Sequence, residues 1–189
     1  MEEDQKFVDV SAISPRVFID ARYATINNFT GRKLYSSARC FLRKGVAKRL
    51  GEVQRNLESQ GLGLKIFDGY RPRFVQRIFW DILPDERYVA NPDIGSKHNR
   101  GAAVDVTLVN AQGQELDMPT PFDSFTVEAH SDYMDLPEEI LENRELLHKA
   151  MQEGGFLSLP TEWWHFDAID WEKYPLEDVA FEDLLALMP

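Results

Sequence analysis

The chain has 189 residues, 43% hydrophobic and 12% aromatic, enough to bury a core without disulfides or repeats. Lys and Arg number 21 against 32 Asp and Glu, a net charge of −11 that repels phosphate backbones and argues against a nucleic-acid partner. Cys40 is the only cysteine, which excludes an intramolecular disulfide and a thiolate metal cluster and leaves histidines and carboxylates as metal ligands.

In chain order, the opening MEEDQKFVDV is acidic and mixed where a secretory leader needs a basic and then an apolar stretch, so a cytoplasmic protein is expected. Leu42, Val46, Leu50, Val53 and Leu57 recur at steps of four and three, the apolar stripe of a helix over 42–57 that Gly61 and Gly63 stop. Residues 64–67 read as a short strand running into the turn DGYRP at 68–72. Pro72 then opens a second helix with Phe74, Val75, Ile78, Phe79 and Ile82 on its apolar face. Residues 84–100 have no period and form a long loop, of the kind that often carries function in a compact domain. AAVDVTL at 102–108 is a strand, with a turn over 110–113 behind it. A third helix covers 137–152 and ends at Gly154 and Gly155, a last strand or strand pair covers 156–168, and a short terminal helix covers 177–188. No run approaches the roughly 20 apolar residues that span a bilayer, and no repeat or linker divides the chain, so a single domain over 1–189 is expected. Helices that separate strand pairs without strict alternation imply an α+β fold, a mainly antiparallel sheet with helices on one side.

Along the strand at 102–108 alternate side chains share a face, which groups Ala103, Asp105 and Thr107 and puts a carboxylate in mid-strand. Seven residues earlier stands His98, and the Asn99-Arg100-Gly101 bend lets the chain fold back so that a loop histidine can meet a strand aspartate. TEWWHFDA at 161–168 adds Glu162 and His165 in apolar company, where a polar group is costly unless paired or bound. Two histidines and a carboxylate are a ligand set for a catalytic zinc, which keeps one position for water. His98, Asp105 and His165 are thus candidate ligands of one zinc ion per chain, with Glu162 as a base that does not ligate. A regular strand would send positions three apart to opposite faces, so Glu162 is expected at a bend, which Pro160 favours. The same ligand set also describes a non-haem Fe(II) oxygenase, in which Glu162 has no obvious role.

SKHNRGAAVD and EWWHF resemble the S-x-H-x6-D and E-x-x-H zinc motifs of the D-alanyl-D-alanine dipeptidases of the VanX type, within the larger DD-carboxypeptidase and hedgehog-like fold. RYATINNFTG at 22–31, DGYRP at 68–72 and PFD at 121–123 extend the resemblance, which runs from Tyr23 to His165. It implies hydrolysis of D-Ala-D-Ala, His98, Asp105 and His165 as zinc ligands, Glu162 as general base and Arg71 facing the oxyanion. It further implies a substrate pocket with Ser96, and with Tyr23 and Asp123 around the dipeptide's ammonium. An anchor at Asp123 would reject longer peptides, whose extra residues need that space.

Each of these residues also has a plainer reading. Arg71 can brace a surface turn, Asp123 can cap a helix or turn, and Tyr23 sits where an ordinary strand tyrosine would. Trp163 and Trp164 are expected in the core, His130 and His148 in structural roles and Cys40 in helix packing. Two rival functions stay open at this point: a DD- or LD-carboxypeptidase acting on peptidoglycan stem peptides, and a non-enzyme that keeps the metal site for structure or ligand binding.

Overall fold

The computed structural model describes residues 3–188. In chain order the elements are β1 (Phe7–Asp9), α1 (Val10–Ile13), β2 (Phe18–Ile19), β3 (Phe41–Arg43), α2 (Lys44–Glu58), β4 (Leu62–Asp68), α3 (Arg73–Ile82), β5 (Ala103–Asn110), α4 (Glu138–Glu153), β6 (Phe156–Leu159), β7 (Glu162–Ala168) and α5 (Phe181–Ala186). The main sheet has the order β2-β4-β5-β7-β6, and only β2 runs parallel to its neighbour. β1 and β3 form a separate antiparallel ribbon. This is the α+β architecture with a mainly antiparallel sheet that the patterning implies.

The four-and-three stripe of α2 buries Val46, Leu50, Val53 and Leu57, and the helix packs on β4. α4 lies beside it, with Leu147 and Met151 buried against β5, β6 and β7. Each fully buried side chain of this size contributes about 1.5–3 kcal/mol of transfer free energy. β5 sits in the middle of the sheet and is covered on both faces, so Asp105 and Thr107 are as deeply buried as Val104 and Val106. α3 departs from the one-sided arrangement. Arg71, just before it, approaches Asp105, and Phe79 packs on Tyr23, Phe29 and the Arg71 guanidinium, so this helix serves the face that carries Asp105.

Other local expectations shift. The first helix begins at Lys44, because Leu42 is taken into β3, and Cys40 precedes that strand instead of packing within a helix. Its carbonyl accepts from Val10 N–H at 2.9 Å. Tyr23 lies on a 3-10 turn over Arg22–Ala24 and not on a strand. Asn28 holds that turn, its amide donating to the carbonyls of Arg22, Thr25 and Arg32. The terminal helix shrinks to Phe181–Ala186, since the chain before it is held extended. There Glu177 N–H donates to the Asn99 carbonyl, and Tyr70 Oη both donates to the Val179 carbonyl and accepts from its N–H.

Candidate active site

Three neighbouring strands bring their polar residues into one row. The register sets Asp68 of β4 opposite Asp105 of β5, and Asp105 opposite His165 of β7. Directly opposed residues stand on the same face, so the row points one way. His98 reaches it from a 3-10 turn over His98–Arg100 that Gly101 closes with φ 67°. That left-handed backbone suits glycine, and a Cβ there would lie 2.5 Å from Phe7 Cε1. The turn feeds straight into β5, as the bend at Asn99-Arg100-Gly101 requires.

His98 Nε2, Asp105 Oδ1 and His165 Nδ1 form a triangle with sides of 3.1, 3.1 and 3.3 Å. Tetrahedral ligands at zinc distances of about 2.0–2.1 Å stand about 3.3 Å apart, so the triangle has the size of one tetrahedral face. The ring tautomers are set from behind. His98 Nδ1 donates to the Gly69 carbonyl at 2.7 Å, which leaves Nε2 with a lone pair. His165 Nε2 donates to Asp167 Oδ1 at 2.8 Å, which leaves Nδ1 with one. Two lone pairs and a carboxylate oxygen converging in a buried place repel unless a positive charge lies among them. Burial disfavours a charged imidazole, yet Asp167 and Asp105 hold His165 well above its ordinary value, so without an ion a proton on Nδ1 supplies that positive charge and a metal would replace it. Burial likewise opposes ionisation of Asp105, and His98 and His165 nevertheless hold it well below the usual carboxylate range. Among the described residues this is the cluster fit to hold a metal ion, and two imidazoles with one carboxylate suit zinc.

Glu162 opens β7 where the pairing with β6 slips: Ser158 faces Phe166, while Leu159 faces Glu162. That irregularity is the bend the three-residue spacing demands, and it leaves Glu162 Oε2 3.9 Å from His165 Nδ1. Burial pushes the Glu162 carboxyl up to about 8.

Arg71 is no surface brace, being 7% exposed. Its Nε and Nη2 both bind Asp68 Oδ2, at 2.9 and 2.8 Å, and Nη1 donates to Gln76 Oε1 at 2.9 Å. Nη2 also lies 3.8 Å from Asp105 Oδ2. Asp68 is fixed in turn, its Oδ1 accepting from Tyr35 Oη at 2.7 Å and from Gly69 N–H at 2.9 Å. The Arg71 turn is tied to the His98 turn, for Arg71 N–H donates to the His98 carbonyl and Asn99 Nδ2 donates to the Arg71 carbonyl.

Tyr23 Oη donates to Asp123 Oδ1 at 2.8 Å, and Phe29 N–H donates to Asp123 Oδ2 at 3.3 Å. Asp123 therefore caps no local turn. It is the one non-glycine with positive φ among the described residues, at 64°, a strain of about 1–3 kcal/mol of the kind kept at functional positions. Burial pushes its carboxyl up to about 7 despite the Tyr23 hydrogen bond. Ser96 shapes the His98 turn: its Oγ accepts from His98 N–H at 3.2 Å and its own N–H donates to Asn99 Oδ1.

Tyr23, Arg71, Ser96, Asp123, Glu162 and the metal triangle all line one cavity of about 150 Å³. Pockets for drug-sized ligands hold about 300–1,000 Å³, so this one suits a much smaller molecule. Trp164 also lines it, while Trp163 is buried and donates to Thr120 Oγ1. His148 faces the Trp163 carbonyl and His130 the Tyr88 hydroxyl, both away from the triangle.

Four contributors are absent from the sequence reading. Asp167 was legible, since it lies two residues beyond His165 on the same strand face. Asp68 lay in plain view inside DGYRP but reads there as a turn residue. Gln76 carries no sequence signal, and neither does the Gly69 carbonyl.

The chain matches the D-ala-D-ala dipeptidase family over residues 3–182. It is 37% identical over 176 residues to the D-alanyl-D-alanine dipeptidase of Escherichia coli, covering 93% of this chain and 91% of that one. The D-alanyl-D-alanine dipeptidase of Streptomyces coelicolor is 36% identical over 184 residues, with coverage of 86% and 90%. That of Enterococcus faecalis is 34% identical over 177 residues, with coverage of 82% and 87%.

Proposed function

This chain belongs to the D-Ala-D-Ala dipeptidase family, and from that premise we propose that it is a zinc enzyme hydrolysing free D-alanyl-D-alanine to two molecules of D-alanine. The observation that carries the reading is the triangle of His98 Nε2, Asp105 Oδ1 and His165 Nδ1, with Glu162 and Arg71 beside it in one small cavity. His98, Asp105 and His165 would hold the ion, whose Lewis acidity lowers the pKa of water from 15.7 to about 7.

Glu162 acts as the base that accepts the proton of the attacking water and hands it to the leaving amine. Burial alone favours its neutral form, and positive charge among the ligands returns it to the carboxylate a base needs. Arg71 directs its guanidinium at the oxyanion that develops on the peptide carbonyl, an interaction worth about 2.7–4 kcal/mol of barrier in a desolvated site. Asp123, oriented by Tyr23, receives the substrate's ammonium, and Ser96 shapes the wall next to the ligands. An ammonium anchor selects the free dipeptide over longer or blocked peptides. None of the described helices is long and apolar enough to cross a membrane, and the cytoplasm is the compartment we propose.

The test is release of D-alanine by zinc-loaded protein from D-Ala-D-Ala, from its N-acetylated form and from a stem pentapeptide. Cleavage of the free dipeptide alone is expected. Cleavage of the blocked or longer peptide would transfer the protein to the carboxypeptidases and remove the role given to Asp123. No cleavage of any of the three would remove the enzymatic reading.

A further inference from the structure

Gln76 is the one polar side chain that α3 buries, and both ends of its amide are used. Oε1 accepts from Arg71 Nη1 and Nε2 donates to the Ala90 carbonyl, each at 2.9 Å. The partners fix the amide's orientation, because a guanidinium only donates and a carbonyl only accepts. Ala90 belongs to the stretch between α3 and the His98 turn, and residues 86–90 of that stretch form a continuous wall of the cavity. The same wall is tied at its other end, where Thr161 Oγ1 donates to the Arg87 carbonyl at 2.7 Å, one residue before Glu162.

The hold on Arg71 explains why Gln76 matters. Nε and Nη2 share a single acceptor oxygen, Asp68 Oδ2, so that pair of contacts alone lets the guanidinium pivot about one point. The contact from Nη1 to Gln76 is a second fixed point and sets the direction of the fork. We propose that Gln76 is a positioning residue that joins the aim of Arg71 to the seating of wall residues 86–90, so that the cavity wall and the arginine are set as one hydrogen-bonded unit. This inference rests on the oxyanion role given to Arg71 above.

The test is a double-mutant cycle on zinc-loaded enzyme, measuring kcat and KM on D-Ala-D-Ala for Gln76→Leu, Arg71→Ala and the two combined, with Gln76→Glu as the conservative variant. Gln76→Leu is expected to lower kcat about tenfold, the usual scale for one hydrogen bond to a charged group. Gln76→Glu still accepts from Arg71 but cannot donate to the Ala90 carbonyl, so it should restore part of kcat while KM stays raised by the loosened wall. In the Arg71→Ala background, Gln76→Leu should change kcat less than about twofold. Gln76→Met, which keeps the length and removes both hydrogen bonds, enters the same cycle if Gln76→Leu does not fold. A full tenfold loss without Arg71, or a Gln76→Glu enzyme with both kcat and KM unchanged, would overturn the inference alone. An Arg71→Ala enzyme with intact kcat would overturn the role of Arg71 and this inference with it.

Discussion

His98 and His165 turn different nitrogens to the same point, Nε2 and Nδ1, because a different acceptor stands behind each ring. Only one of those acceptors is a side chain. Asp167→Ala therefore frees the His165 tautomer and is expected to weaken zinc binding 10–100-fold, measured by competition with a chelator of known affinity. Glu162 lies outside the triangle, and Glu162→Gln should keep full zinc content while turnover drops by about 10²–10⁴-fold; loss of the metal together with activity would reassign Glu162 to the ligands. Asp123 gives a pH signature. With its carboxyl pushed up to about 7, the ionised fraction that can pair with an ammonium grows as pH rises through that value. KM for D-Ala-D-Ala should accordingly fall between about pH 6 and 7 and level off by about 8, where the substrate's own ammonium begins to lose its proton, and in Asp123→Asn the fall should be absent.

At the scale of elements, the turn that delivers His98 depends on one glycine. Gly101→Ala meets both the left-handed backbone and Phe7 Cε1, each worth on the order of 1–3 kcal/mol. The variant should unfold at a lower urea midpoint, and its zinc affinity should fall as His98 shifts. The same scale shows what a sequence can disclose. α2, α3, α4 and β5 were legible because their apolar spacing repeats within a few turns or pleats. β1 and β2, with three and two residues, are too short to carry a period. The extended run before α5 is held by Tyr70 and Asn99, far away along the chain, and no local pattern announces such partners. The site divides in the same way. His98 with Asp105, and Glu162 with His165, are two pairs at short spacing, set by a turn and a strand bend, that stood out in the residues themselves; the β5–β7 pairing that joins them did not. The hold of Gln76 and Asp68 on Arg71 and the left-handed backbone of Asp123 arise from contacts through space.

At the scale of the whole molecule, a chain of net charge −11 gathers Asp105, Asp123 and Glu162 around one cavity. Carboxylates buried together repel, and a divalent ion held at the triangle as proposed would relieve that repulsion in the folded state only. Removing it should lower the melting temperature. With zinc at about 1,000 times its dissociation constant the linkage is about 4 kcal/mol, and a domain of this size moves roughly 2–4 °C per kcal/mol. A fall of about 8–16 °C is expected on adding excess chelator, read by thermal melting, with recovery on adding zinc back.

The row formed by Asp68, Asp105 and His165 has one more consequence. Because the pleat repeats every two residues, sliding β7 along β5 by a single step would turn His165 to the opposite face of the sheet. A mispaired chain thus presents two donors at most and lets the ion go. With the ligand set proposed above, the equivalents of zinc retained after refolding are expected to count the molecules whose strands were laid down in step.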